Sequence, residues 1–252
     1  MNKKTIGILA VILSFFFLFS SSRAQVSDSA GMITPVDSVQ ERLLKIIENS
    51  DLGYLWKGEL SQENRLGYIG DNFQRIQVRF LSVIQNFDNP YEYFLYGKTK
   101  VRDNICEFQG SLRITETGYF IDPSSPEFLK ATLSGDFVLF EDQSCLHSGI
   151  FRGDFVTAVY IDKAGYVYYD DLDSEANNYT NNEFYGEWEG YDPYELKICN
   201  WGDYRIPFSA ELDMGLDTFK PSFKYLDNGW AEYLKEREKV GRGEELEKWW
   251  EF

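Results

Sequence analysis

The chain has 252 residues, with 41 Asp and Glu against 25 Lys and Arg, one His, three Cys, and 17 Tyr, 20 Phe and 6 Trp. With 43% hydrophobic and 26% charged residues, it has the make-up of a globular protein with a real core and the length of about one domain. A net charge of −16 excludes a nucleic-acid binder that works through clustered Lys and Arg.

Lys3 and Lys4 precede an apolar run from Ile6 to Phe19, followed by Ser20, Ser21, Ser22, Arg23 and Ala24. A basic start, a short apolar run and a small-residue exit are the layout of a secretory signal peptide, here cleaved after Ala24. The run falls short of the roughly 20 residues that span a bilayer, and no Cys follows the cleavage point to carry a lipid anchor. The expected product is an exported chain, periplasmic or secreted, without an integral membrane segment. It keeps 41 acidic and 22 basic residues, a net charge of −19 that favours solubility and repels anionic surfaces.

Residues 25–36 are small and polar and read as a flexible leader. Asp28-Ser29-Ala30 and, just beyond, Asp37-Ser38-Val39 resemble acceptors for O-glycosylation in bacterial periplasms. A single β-rich domain is expected over 37–240, followed by an acidic, Trp-containing tail over 241–252. Asp37 or Ser38 is placed to cap an amphipathic helix over about 38–49, with Val39, Leu43, Leu44, Ile46 and Ile47 on one face.

From residue 54 onward the period shortens to two. Ile76, Val78, Phe80, Ser82 and Ile84 are spaced as one face of a strand, and a turn at Phe87-Asp88-Asn89-Pro90 leads into a second strand, 91–101. After Arg102-Asp103-Asn104, the residues Cys106, Phe108, Gly110, Leu112 and Ile114 share one face. Further strands are expected over 137–141, 149–162, 166–171, 183–191 and 196–201, with a Lys163-Ala164-Gly165 hairpin connection. A short polar helix is expected over about 228–240. The fold class is therefore all-β and antiparallel, with a helix packed on the sheet.

One pattern recurs five times: bulky, any residue, Gly, acidic or small polar, bulky. It appears at Trp56–Leu60, Phe108–Leu112, Leu133–Phe137, Phe151–Phe155 and Phe184–Trp188. Each Gly leaves a notch between two bulky residues on one strand face, which a strongly curved or closed, barrel-like meander requires. The stretch Gly135-Asp136-Phe137 to His147-Ser148-Gly149-Ile150-Phe151-Arg152-Gly153-Asp154-Phe155 resembles a MORN-type hairpin repeat, although it lacks that family's regular period and glycine density. The resemblance covers about a fifth of the chain and implies an alternative, an elongated single-layer sheet used as an interaction surface.

Catalytic material is sparse. His147 stands near Cys145 in a loop without the further ligands of a zinc site, and no nucleophile elbow, phosphate loop or dinucleotide fingerprint is present. Glu183, Glu187 and Glu189 share a strand face with Tyr185, the one arrangement that suits a glycosidase carboxylate pair. Asp171, Asp173, Glu175 and Asn177 alternate like calcium ligands, but Ala176 replaces the loop Gly and Asn182 the distant acid, so they read as an acidic hairpin tip. Arg152-Gly153-Asp154 lies within a strand, and Asn178-Tyr179-Thr180 is a glycosylation sequon. Cys106 reads as a buried free thiol, which leaves Cys145 and Cys199 as the pair. These features point to an exported binding or interaction module with no catalytic residue, metal or cofactor, whose ligand is a carbohydrate, peptide or protein met by aromatic faces. The alternative is a carbohydrate-active hydrolase using paired carboxylates.

Overall fold

Alternation of buried and open residues decides the architecture. Along 129–141, Ala131, Leu133, Gly135, Phe137 and Leu139 are buried and Thr132, Ser134, Asp136, Val138 and Phe140, which alternate with them, reach solvent; along 149–161, Phe151, Phe155, Thr157, Val159 and Ile161 are buried. In a computed structural model, described over residues 35–58, 65–120, 122 and 125–251, these strands belong to one antiparallel sheet. Its strands are β1 (Arg65–Ile69), β2 (Gln74–Arg75), β3 (Gln77–Asn86), β4 (Asn89–Val101), β5 (Asn104–Phe120), β6 (Leu129–Glu141), β7 (Gly149–Ile161), β8 (Val167–Tyr169), β9 (Asn181–Gly190) and β10 (Leu196–Asp203). The order is β2-β1-β10-β9-β7-β6-β5-β4-β3, with β8 paired to the far end of β7. Its two ends, β2 and β3, are separated in the chain by Ile76 alone, whose N–H donates to the Gly67 carbonyl of β1 at 3.0 Å. The sheet is therefore strongly curled, as the glycine pattern requires, and not a flat layer. The expected signal segment and the leader as far as residue 34 lie outside the described residues, while Pro35 and Val36, expected to end the leader, instead open a helix.

The inward glycines explain the curl. A Cβ added at Gly110 would collide with the Val138 carbonyl oxygen of β6, and one at Gly153 with the Tyr185 carbonyl of β9. Gly153 and Gly186 face each other across β7 and β9, so two notches coincide where those strands approach. The first of the five motifs behaves differently: Trp56 sits in a helical turn, α2 (Tyr54–Lys57), and Glu59 and Leu60 lie outside the described residues. The expected single face of β3 also needs correction. A bulge between Phe80 and Ser82 shifts the register, so Val83 packs on the core and Ile84 turns to solvent.

Helix α1 (Pro35–Glu48) lies across one end of the curled sheet. Leu43 and Ile47 join the core, Gln40 Nε2 donates to Thr117 Oγ1 of β5 (2.8 Å), and Arg42 Nη2 donates to the Lys163 carbonyl in the β7–β8 hairpin (3.3 Å). The helix starts at Pro35, so Asp37 and Ser38 fall within its first turn instead of capping it. Trp56 fills the space beneath. It is fully buried, edge-on to Tyr93 at 5.0 Å and Phe155 at 5.8 Å, and its Nε1 donates to Thr157 Oγ1 at 2.9 Å. A second apolar cluster covers the outer side of β1: Leu66 and Tyr68 pack with Ile206, Leu212, Phe219, Tyr225 and Trp230, the last from α3 (Trp230–Gly241). Of the tail, Trp249 is buried and Trp250 lies under the Arg79 guanidinium at 4.2 Å.

The cysteines pair differently from expectation. Cys106 does face inward and is buried, but it is joined to Cys145, while Cys199 on β10 is the buried free thiol. The loop after β6 brings Cys145 back to the start of β5; the strand face was legible, the path of the loop was not.

Two predictions follow from this packing. Gly110→Val and Gly153→Val each lose on the order of 3 kcal/mol in urea unfolding, because the added branch meets backbone that cannot rotate away. Gly241→Ala, where a Cβ finds nothing within 4 Å, loses none; equal effects at all three positions would show that the notches do not bend the sheet. For the disulfide, thiol titration of the unfolded, unreduced protein finds one thiol, from Cys199. Cys145→Ser lowers stability by about 4 kcal/mol through release of the 39-residue loop. Three titratable thiols before reduction would contradict the bridge.

Candidate functional site

Each end of the curled sheet is tied by a buried carboxylate. At the end away from α1, Glu141 of β6 accepts from Thr99 Oγ1 of β4, from the Gly149 N–H at 2.9 Å and from Trp188 Nε1 at 3.0 Å; burial pushes its carboxyl up from the ordinary range. At the α1 end, Asp203 of β10 is fully buried. Its Oδ1 accepts from Arg65 Nε (3.2 Å), and its Oδ2 accepts from Asn182 Nδ2 (2.8 Å) and the Tyr169 hydroxyl (3.1 Å). Asn182 Oδ1 accepts from Thr157 Oγ1 at 2.8 Å, and through Thr157 the network reaches Trp56. These donors hold the carboxylate down, yet burial outweighs them and raises Asp203 to about 6.

Strand β8 links this network to the outer surface, since adjacent residues of a strand point to opposite faces. Tyr169 points in to Asp203, and Tyr168 points out. There Tyr168 pairs across the strands with Tyr160 of β7, Tyr160 with Lys130 of β6, and Lys130 with Phe120 of β5, giving one continuous row. The rings of Tyr160 and Tyr168 stack at 5.0 Å and 16°, and Phe128 leans on Tyr160 at 4.8 Å. Phe120 reaches this row through a bulge between Ile114 and Glu116, which turns Tyr119 towards the core and leaves Phe120 half exposed. Lys130 Nζ lies 5.9 Å from the Phe120 ring centre and is held by Asp173 (2.7 Å), Asp122 (3.5 Å) and Asp170 (4.0 Å). The Tyr160 phenol is pushed up, first by burial and then by the charges of Asp171, Asp170 and Asp162 and by Tyr168. Tyr168 donates to Asp162 Oδ2 at 3.4 Å.

The residues singled out in the sequence fall elsewhere. Glu183, Glu187 and Glu189 do share a face of β9 with Tyr185, but it is the outer, convex face; Glu187 stands opposite Arg152 and Ile198, and Glu189 opposite Ile150 and Leu196. Neither Glu187 nor Glu189 has a second carboxylate as its cross-strand neighbour, the arrangement a glycosidase pair on adjacent strands would show. Two hollows, of about 460 and 380 Å³, flank α1 and contain none of these glutamates. Asp173 is engaged with Lys130, and His147 is exposed with a positive φ of 53° beside the bridged Cys145. Among the described residues no group of three or more His, Cys, Asp or Glu is arranged to hold a metal ion, and no helix is long and apolar enough to cross a membrane. Arg152-Gly153-Asp154 lies within β7, and Asn178 is exposed in the turn before β9. Sequence reasoning did not find the outer aromatic row, because its members come from four strands and depend on a bulge. The Tyr166–Asp171 segment was the local signal. Comparison with protein-family models, curated proteins and solved structures finds no match.

The raised Asp203 sets a pH dependence. The carboxyl keeps its proton to higher pH in the folded protein than in the unfolded chain. Its contribution to stability is therefore complete below about pH 4 and is lost as pH rises through about 6. Urea unfolding at stepped pH should show a stability decline between about pH 4 and 6.5 that Asp203→Asn makes shallower, by up to about 3 kcal/mol. Parallel profiles for parent and variant would remove Asp203 from the account.

Proposed function

We propose that this protein is an exported binding module without catalytic function, and that it meets its ligand on the outer aromatic row of β5, β6, β7 and β8. The observation that carries the reading is the stacked Tyr160–Tyr168 pair, with Tyr168 40% and Phe120 52% exposed, set on a curled sheet whose inner face is occupied by its own aromatic side chains. Flat aromatic faces held on paired strands lose little conformational freedom when a ligand covers them. Tyr168 is fixed from behind as well, because its neighbour Tyr169 is bonded to the buried Asp203. The glutamates of β9 lie apart from this row and have no part in it.

A panel of polysaccharides and peptides, scored for binding and for release of reducing ends, tests the proposal on protein exported by a bacterial host, whose mass should match a chain beginning at Gln25. The expected result is binding that Tyr168→Ala weakens about tenfold, a loss of roughly 1.4 kcal/mol, and that Glu187→Gln and Glu189→Gln leave unchanged. Reducing ends released by the parent, and abolished by either glutamate substitution, would overturn it in favour of a hydrolase.

A further inference from the structure

We infer that the outer row of β5–β8 recognises an organic cation, a guanidinium or ammonium group carried on a basic peptide segment, seated on the outward ring face of Tyr168 beside Asp162. The inference rests on the proposal that this row is the binding surface and adds the chemistry of what it binds.

Three observations converge on a cation. Tyr168 stands on β8, which pairs with β7 alone, so its ring is backed by Tyr160 on one side and is 40% exposed; the face of a tyrosine carries the negative part of its quadrupole, which attracts a cation within about 6 Å of the centroid. The row already shows this attraction within itself, since Lys130 Nζ stands 5.9 Å from the centre of Phe120. The surrounding charge has one dominant sign. Asp122, Asp170 and Asp173 hold Lys130, while Asp162 and Asp171 lie close enough to Tyr160 to shift its phenol. That makes five carboxylates against one ammonium, which is already held by three of them. Lys163, the nearest basic residue in sequence, sits at the hairpin tip on the side of α1, where its carbonyl accepts from Arg42 at 3.3 Å.

The geometry favours a small, flat or compact cationic group over an extended apolar one. Tyr160 and Tyr168 stack at 16° with ring centres 5.0 Å apart, so Tyr160 backs one face of Tyr168, while Asp162 Oδ2 accepts from the Tyr168 hydroxyl at 3.4 Å and stands at the rim of that ring. A guanidinium laid on the outward face of Tyr168 gains that ring face and retains donors in its own plane for the Asp162 carboxylate. A neutral sugar would gain only the stacking, and an anion would be repelled.

The probe is a fluorescein-labelled Gly-Arg-Gly-Arg-Gly peptide, compared with the same peptide carrying citrulline, which has nearly the shape of arginine without its charge. Anisotropy titration is carried out on the full chain and on variants whose melting temperature equals the parent's. The arginine peptide should bind at least about tenfold more tightly than the citrulline peptide, and Tyr168→Ala and Asp162→Asn should each remove most of that difference. The pair Glu187→Gln and Glu189→Gln, which removes two charges from β9, should leave it in place. An equal loss from the β9 pair would overturn the inference, because the peptide would then be responding to the overall negative charge of the chain. Equal binding of both peptides would also overturn it, and so would no binding of either. If the polysaccharide panel still binds in a manner sensitive to Tyr168→Ala, the binding-module reading survives that outcome; if nothing binds the parent, both fall.

Discussion

A sheet can curl tightly only where neighbouring strands approach without side chains between them. In this protein Gly110, Gly135, Gly153 and Gly186 supply that freedom, each at a place where a Cβ would strike the backbone of the adjacent strand. Everything else follows from the curvature. It gathers Phe80, Phe108, Phe137, Phe155, Phe184 and Trp201 into one interior, with Phe184 and Trp201 stacked at 5.1 Å. An interior filled in this way is the reason our proposed binding surface lies on the outer face.

The same curvature creates two ends that need closing, and the chain closes both with a buried acid. Glu141 gathers donors from β4, β7 and β9, and Asp203 gathers them from β1, β8 and β9. A buried carboxylate is costly unless its oxygens are satisfied, and a satisfied one fixes the relative position of every strand that donates to it. Asp203 acts further out as well: by holding Tyr169 it sets the angle at which Tyr168 leaves the sheet.

Much of this architecture was legible in local sequence. β6 and β7 announce themselves by strict alternation and by Gly-centred motifs, and Gly165 takes the positive φ that its hairpin position implied. What escaped was non-local. β1 is only five residues long and almost wholly buried, so it carries no alternating signature. Arg65 and Asp203 meet across 138 residues, and Cys106 pairs with Cys145 through a loop whose path local sequence does not encode. The bulges in β3 and β5 reverse which face a residue occupies. For that reason Ile84 and Phe120 stand outside where simple alternation places them inside.

The position of β1 has a consequence for how the chain reaches this state. From β3 to β7 each strand pairs with the next one made, so that meander can assemble by short-range contacts alone. β1 instead waits for β10, with Arg65 opposite Asp203 and Ile69 opposite Cys199, and then for the segment beyond it to cover Leu66 and Tyr68. Pairings of such long separation close late. During synthesis the earliest strand of the sheet is therefore among the last to find its place, and until β10 is available both β1 and β9 present open edges on which another copy could add.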